Sequence, residues 1–121
     1  AGDRRQAHLH LHCALEGGAD IPALLRESGL RLGVDVTSTR EQLTPEQLRS
    51  LYAASDVLLQ LSRAEGFGLP VVEAQACGTP VVVNGATAMA ENVLLGEVLP
   101  LAGKPTGGRE DRHGSWTPPD I

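Results

Sequence analysis

Residues 57–84 read VLLQLSRAEGFGLPVVEAQACGTPVVVN, and their pattern is the clearest indication of the fold class. Two apolar runs, Val57–Leu61 and Pro80–Asn84, flank a glycine-rich turn and a short helix. The helix is predicted over Pro70–Ala76, because proline suits a first helical turn and Gly78 follows as a cap. Near-continuous apolar runs are typical of strands covered on both faces, so Val57–Leu61 is expected to be a central strand. Strand, helix and strand in succession predict a right-handed crossover between parallel strands.

The same alternation of strands and helices continues on both sides of this stretch. Before it, a strand is predicted over Ala7–Leu15, followed by a helix over Ile21–Ser28 that Asp20 caps. A second strand is predicted over Val34–Val36, followed by a polar connection over Thr37–Leu43. The next helix begins at the capping box Thr44-Pro45-Glu46-Gln47. After it, a helix is predicted over Thr87–Leu95 and a strand over Glu97–Leu101. The predicted fold class is therefore α/β, with a doubly wound parallel sheet.

Composition excludes several classes of protein. A chain of 121 residues suits one domain, and 41% hydrophobic with 21% charged residues is close to the globular average. Aromatic residues make up only 2%, which excludes the stacking platforms that bind single-stranded nucleic acid. The net charge of −5 also disfavours a nucleic-acid partner, although it leaves a small anionic ligand open.

Cysteine usage and hydropathy bear on location. Cys13 and Cys77 are the only cysteines and form no CxxC pair, which favours a reducing compartment and predicts a cytoplasmic protein. No apolar run approaches the roughly 20 residues that a membrane-spanning helix needs, so no membrane span is expected.

The turn between the first apolar run and its helix is the candidate binding site. Ser62–Gly68 leads to a helix N-terminus, where free backbone amides and a positive partial charge favour an anion. In open α/β sheets, ligands bind outside the carboxyl ends of the strands, where this turn should lie. Glu65 stands at the turn and Glu73 about one helical turn into the helix. The two carboxylates either cap local amides or bind two vicinal diols of one ligand, as a sugar nucleotide would offer.

This stretch resembles a known family. EGFGLP at residues 65–70, followed by EA at 73–74 and ACGTPVV at 76–82, looks like the E-x7-E signature of retaining glycosyltransferases with the GT-B architecture. The preceding LRSLYAASDV at residues 48–57 is similar to the family's usual approach to that signature. The resemblance implies a Rossmann-like sheet that forms most of the C-terminal, donor-binding half of such an enzyme. It also implies transfer of a sugar from a nucleoside diphosphate sugar with retention of configuration, without an essential metal or other cofactor.

The resemblance also implies roles for individual residues. Glu73 is expected to bind the nucleotide ribose, and Glu65 to contact hydroxyls of the donor sugar at the catalytic centre. The connection from Thr37 to Leu43 is expected to lie near the base. Ser62 is a further candidate contact at the strand end, or it only shapes the turn. Backbone amides that face the sugar and the diphosphate are expected from Gly66, Phe67, Gly68 and Leu69.

The length of the chain departs from the family. GT-B enzymes have two Rossmann-like domains, and 121 residues cannot supply both. We expect residues 1–121 to be part of the donor-binding domain, without the acceptor domain, the opening basic loop or the closing helix after Asp120. Residues 103–119 are predicted to form a long irregular loop. Such a fragment is expected to be inactive alone and to need the missing domain, a partner chain or a homo-oligomer.

Several alternatives stay open at this point. A non-catalytic assembly domain, a nucleotide-sugar epimerase or a phosphorylase would use related folds, although the only lysine, Lys104, lies in the wrong segment for a phosphorylase. His8, His10 and His12 share one face of the first predicted strand, so they bind zinc or pack as neutral side chains. Cys77 is a nucleophile or a small buried residue after a helix.

Overall fold

The computed structural model of the protein describes residues 7–13, 20–62, 65–85 and 87–100. These residues fall into two compact units, one within Ala1–Gln42 and one within Leu43–Ile121. Both units combine helices with parallel strands, so the α/β class predicted from the sequence is confirmed. None of the helices described in these ranges is long and apolar enough to cross a membrane. The loop predicted over 103–119 and the region after Asp120 lie outside the described residues.

In the part that the structure describes, the first unit is a pair of parallel strands and one helix. Its elements are β1 (Leu9–His12), α1 (Ile21–Glu27) and β2 (Val36–Thr39). Leu9 of β1 lies opposite Val36 of β2, and β1 is shorter than the predicted strand. α1 begins where the sequence predicts, because the Asp20 carboxylate accepts a hydrogen bond from the amide of Ala23 at 2.9 Å.

The second strand starts later than predicted. The sequence predicts it over Val34–Val36, but β2 begins only at Val36. The Asp35 carboxylate accepts hydrogen bonds from the Arg31 amide at 2.9 Å and from the Arg31 guanidinium at 2.8 Å, which closes a turn just before the strand. The polar residues that follow, predicted to be a connection, pair with β1 instead. They are Thr37, Ser38 and Thr39.

Over its described residues, the second unit is a three-stranded parallel sheet with two α-helices and a 3₁₀ helix. Its elements are α2 (Pro45–Ala53), β3 (Leu58–Gln60), α3 (Leu69–Ala76), β4 (Val81–Asn84), the 3₁₀ helix (Ala88–Asn92) and β5 (Gly96–Leu99). α2 starts at the predicted capping box, in which Thr44 and Gln47 bond reciprocally at 2.9 and 3.3 Å. β4 is the middle strand of this sheet, whereas β3, predicted to be central, lies at its edge. The apolar run in the sequence did not distinguish a central strand from an edge strand. Of its residues, Leu58 packs against the core, but Leu59 is exposed.

The core of the second unit fixes the rotation of α3. Its buried cluster consists of Tyr52, Val71, Ala74, Val81, Val83 and Met89, with Leu48, Leu58, Cys77 and Val93 partly buried against it. Burial of a large apolar side chain stabilises a fold by about 1.5–3 kcal/mol. Because Val71 and Ala74 face this core, Glu73 between them stays on the exposed side of α3. Cys77 packs beside the core, as the second of its two interpretations predicts.

The segment after β4 differs from its prediction. The sequence predicts a helix over Thr87–Leu95, but only Ala88–Asn92 is helical, and it is a 3₁₀ helix. The amides of Leu94 and Leu95 donate to Oε1 of Gln75 at 2.6 and 2.7 Å, so they are not available for further helical turns. Thr87 is the N-cap of this 3₁₀ helix, as predicted, but its side chain makes no cap hydrogen bond.

Candidate functional site

Gly68 controls the geometry where the turn meets α3. It is the N-cap of α3, it is buried, and its φ of +81° lies in the left-handed region that favours glycine. A Cβ at this position would lie 2.5 Å from Cγ of Met89 in the 3₁₀ helix. Any side chain here would therefore strain the backbone and require Met89 to shift.

The backbone amides of the turn point to an anion-binding function. No described residue accepts a hydrogen bond from the amides of Gly66, Phe67, Gly68 or Leu69. The first turn of α3 contains no acidic side chain that could neutralise the helix N-terminus. Pro70 has no N–H, and Val71 donates to the carbonyl of Gly68 at 2.9 Å, so the donors left for a ligand are those four amides. Free amides and a positive partial charge at a helix N-terminus favour an anion such as a phosphate group.

Two amide side chains hold this turn in place. Nδ2 of Asn92 donates to the carbonyl oxygen of Phe67 at 2.7 Å. Gln75 of α3 donates in turn to the carbonyl oxygens of Asn92 at 2.9 Å and Val71 at 3.0 Å. The Phe67 carbonyl is thereby fixed toward the 3₁₀ helix, which sets the direction of the peptide planes beside it.

Glu73 has a defined partner. Its Oε2 accepts a hydrogen bond at 3.0 Å from the hydroxyl of Tyr52, a residue of α2 that is 9% exposed. Burial and, after it, the hydrogen bond to the Glu73 carboxylate raise the pKa of Tyr52 well above its usual value. The phenol therefore stays neutral and donating, while the carboxylate remains on the exposed side of α3.

Glu65 and Ser62 lie on either side of an undescribed pair of residues. Glu65 is half-buried at the start of the turn, and no described side chain or amide bonds to its carboxylate. Oγ of Ser62 accepts from Gln60 at 2.8 Å, and its carbonyl oxygen accepts from Nδ2 of the buried Asn84 at 2.9 Å. Ser62 thus joins the ends of β3 and β4, which supports its turn-shaping interpretation, and its ligand contact stays a prediction.

The proposed base-binding residues lie in different units. Thr37 belongs to β2 of the first unit, where its Oγ1 shares hydrogen bonds with Nε2 of His8 at 3.0 Å and Nδ1 of His10 at 2.9 Å. Nε2 of His10 also lies 3.0 Å from Oγ1 of Thr39. Leu43 is half-buried and begins the second unit. A role near the base stays a prediction for both Thr37 and Leu43.

The histidines of β1 contact hydroxyl groups. All three described hydrogen bonds of the His8 and His10 rings are with threonines of β2, and His12 is exposed. Within the described ranges, no three His, Cys, Asp or Glu side chains are grouped closely enough to hold a metal ion.

Four residues at the site were not identified from the sequence. They are Tyr52, Gln75, Met89 and Asn92, which support Glu73, the turn and Gly68. Tyr52 carries one usable signal, because a tyrosine on the apolar face of a helix needs a partner for its hydroxyl when it is buried. No sequence pattern distinguishes Gln75 or Asn92 from ordinary polar surface residues.

Comparison with known proteins identifies the family of the chain. Residues 19–98 match the model of the family described as glycosyl transferases group 1. The chain is 38% identical over 89 residues to an MMP alpha-(1->4)-mannosyltransferase of Mycolicibacterium hassiacum, which covers 74% of this chain and 21% of that protein. It is also 44% identical over 82 residues to a D-inositol 3-phosphate glycosyltransferase of Nocardiopsis dassonvillei, covering 64% of this chain and 19% of that protein. No solved structure matches. The chain thus spans about a fifth of the length of these relatives, and it belongs to the glycosyl transferases group 1 family.

Proposed function

We propose that this chain forms part of the donor-binding domain of a retaining glycosyltransferase with the GT-B architecture. The observation that carries the proposal is the row of four turn amides, without described acceptors, at the N-terminus of α3 beside the two glutamates of the signature. A nucleoside diphosphate sugar has groups of matching chemistry, namely a diphosphate and two sets of sugar hydroxyls.

The turn amides are the proposed diphosphate site. When the bond between sugar and diphosphate breaks, negative charge develops on the leaving diphosphate. Backbone N–H groups that already point at that position stabilise the charge without reorganising. The net charge of −5 does not oppose this, because the local field at a helix N-terminus is positive.

The two glutamates are the proposed hydroxyl-binding groups. Glu73 binds the ribose diol, and Glu65, whose carboxylate has no described partner, binds hydroxyls of the transferred sugar at the catalytic centre. Each carboxylate accepts hydrogen bonds only, so each is suited to a pair of vicinal hydroxyl donors. Because the donor is held at both its ribose and its transferred sugar, that sugar is oriented for transfer. Ser62, Thr37 and Leu43 are proposed as secondary contacts at the strand end and near the base.

The remaining elements of the reaction are proposed to lie outside this chain. Because the chain spans about a fifth of the relatives' length, an acceptor-binding domain or partner chain would complete the site. The relatives' names differ between mannosyl transfer and D-inositol 3-phosphate glycosyl transfer, so the acceptor is not assigned. A cytoplasmic location is also proposed, in keeping with the free thiols of Cys13 and Cys77.

Calorimetric titration with nucleoside diphosphate sugars tests the proposal. Uridine and guanosine diphosphate sugars are titrated into the chain and into its Glu73→Ala variant. The variant should lose at least about tenfold in affinity, because hydrogen bonds to a carboxylate contribute about 1.5–3 kcal/mol. Glu46→Ala is the matched control, since Glu46 is also an exposed helical glutamate but lies in the first turn of α2.

The titration has two outcomes that would contradict the proposal. Equal losses in the Glu73 and Glu46 variants would mean that only net charge matters. No heat with any nucleotide sugar would favour the alternative of a non-catalytic assembly domain derived from a glycosyltransferase.

A further inference from the structure

Tyr52 is a buried residue whose hydroxyl has one described side-chain partner. Its ring belongs to the core cluster of the second unit, and its hydroxyl donates to Oε2 of Glu73 at 3.0 Å. The backbone of Tyr52 is also held, since Oγ1 of the buried Thr79 donates to its carbonyl oxygen at 2.6 Å. Both ends of the residue are therefore fixed before any ligand arrives.

Glu73 by itself would be free to move. It is exposed on α3, and a glutamate side chain has three rotatable bonds that become ordered only when something holds them. The phenol of Tyr52 holds one carboxylate oxygen from the side of the core. That contact reduces the number of positions that the other oxygen can reach.

The hydrogen-bond capacity of the carboxylate fits this arrangement. A carboxylate offers two oxygens with about four acceptor positions. Tyr52 occupies one position on Oε2, which leaves Oε1 and the rest of Oε2 for two further donors. A vicinal diol supplies two donors at a matching separation.

From these contacts, and on the basis of the proposed function, we infer that Tyr52 is a positioning residue that orients Glu73 for the 2′- and 3′-hydroxyls of the donor ribose. The pair of Tyr52 and Glu73 then selects ribonucleotides over 2′-deoxyribonucleotides. Tyr52 does not touch the ligand, and its effect is transmitted through the carboxylate.

The protonation state of the phenol suits this role. Burial and the neighbouring carboxylate raise the pKa of Tyr52, with a smaller contribution from Cys77 at the end of α3. Across the physiological range the phenol therefore remains a neutral donor to the carboxylate.

Removal of the hydroxyl alone tests the inference. Binding of uridine diphosphate, guanosine diphosphate and their 2′-deoxy analogues is measured for the chain, for Tyr52→Phe and for Glu73→Gln. Tyr52→Phe should weaken binding of the ribonucleotides about fivefold and leave the deoxy analogues nearly unchanged. Glu73→Gln should reduce the same ribose preference. Ser50→Ala is the matched control, since its hydroxyl, also on α2, bonds only to the carbonyl of Glu46 among the described residues, at 2.8 Å.

The outcomes separate this inference from the proposed function. If Tyr52→Phe weakened ribo- and deoxyribonucleotides equally, the role of Tyr52 would be structural and the inference would be wrong. An unchanged ribose preference would also overturn it while leaving donor binding intact. If the unmodified chain bound no nucleotide, the proposed function itself would fail.

A second measurement does not depend on the folding of the variant. Tyr52 is the only tyrosine in the chain, so incorporation of 3-fluorotyrosine gives a single ¹⁹F resonance at this position. The ribonucleotide that binds should shift this resonance more than its 2′-deoxy analogue does. Equal shifts, or no shift with either nucleotide, would contradict the inference.

Discussion

The two units of the molecule are stabilised by different kinds of contact. In the described part of the first unit, only Leu25 and Val36 are buried apolar residues, and hydrogen bonds between side chains join its strands. In the second unit, a continuous apolar cluster lies between the sheet and the helices. The family signature lies on the unit with the larger core, and this core fixes α3 in rotation. A binding site made of backbone amides needs such support, because its geometry depends on the backbone and cannot be restored by a change of rotamer.

The largest effect should come from a substitution in the second unit that its backbone cannot accommodate. Gly96 has a φ of +142°, and a Cβ there would collide with the backbone oxygen and nitrogen of Val81 in β4. Gly96→Ala should therefore lower the free energy of unfolding by more than about 4 kcal/mol, as measured by urea denaturation. Gly33→Ala in the first unit is the control, since Gly33 also has a positive φ but open space around it. A similar loss in both variants would refute the packing difference.

Truncation of one core side chain in each unit should give a smaller difference in stability between the two units. Met89 is fully buried in the second unit, whereas Leu25 of the first unit is 8% exposed. Met89→Ala should cost about 3 kcal/mol and Leu25→Ala about 2 kcal/mol, because a smaller cavity is left where fewer atoms pack. Amide hydrogen exchange, resolved by residue, assigns each loss to its unit. If Leu25→Ala lowered protection more widely than Met89→Ala, the first unit would hold the dominant core.

Alkaline pH should destabilise the second unit through Tyr52. The pKa of Tyr52 is raised in the folded chain, so the contribution of Tyr52 to stability is fully present below the pKa of an unfolded tyrosine, near 10. Above that pH the unfolded chain releases the tyrosine proton while the folded chain keeps it, so the free energy of unfolding falls by about 1.4 kcal/mol per pH unit. Unfolding of the chain and of Tyr52→Phe between pH 9 and 11 measures the difference. Parallel curves for the two proteins would mean that Tyr52 titrates normally.

The smallest effect is expected at the surface of the first unit. The Arg31 guanidinium lies 2.8 Å from the Asp35 carboxylate, and its side chain is 70% exposed. This hydrogen bond lowers the pKa of Asp35, so the contribution of the carboxylate is present at neutral pH and disappears as the pH falls through that lowered value. Arg31→Gln should change the thermal midpoint least of all these variants. NMR titration of Asp35 should show its pKa rising in Arg31→Gln, and an unchanged pKa would contradict the pairing.

The elements predicted well from the sequence are those with local signals. α2 begins at a capping box, and α3 has a proline near its start and a glycine after its end, so residues close in sequence determine both helices. The predicted bounds of β2 and of the 3₁₀ helix were wrong, because hydrogen bonds from side chains determine where these two elements begin or end. Asp35 closes the turn before β2, and Gln75, distant in sequence, binds the amides that would have extended the 3₁₀ helix.

For the candidate site, the local structure of the segment was predictable from the sequence, but the contacts that hold the segment were not. The signature places Glu65, the turn and Glu73 in one segment, and the structure puts that segment at the start of α3. The contact of Glu73 with Tyr52 depends on how α2 packs against α3, and no local pattern specifies that packing. A motif therefore predicts the local structure of its own segment more readily than the contacts that other elements make with it.

Gln75 limits which sequences this fold can accept. Its amide group donates to two carbonyl oxygens and accepts from two backbone amides, so it serves four main-chain groups at once. A glutamate could satisfy only the amides, a lysine only the carbonyls, and a leucine neither. In evolutionary terms, this position should change only together with the segment from Asn92 to Leu95, and covariation between the two would record that dependence.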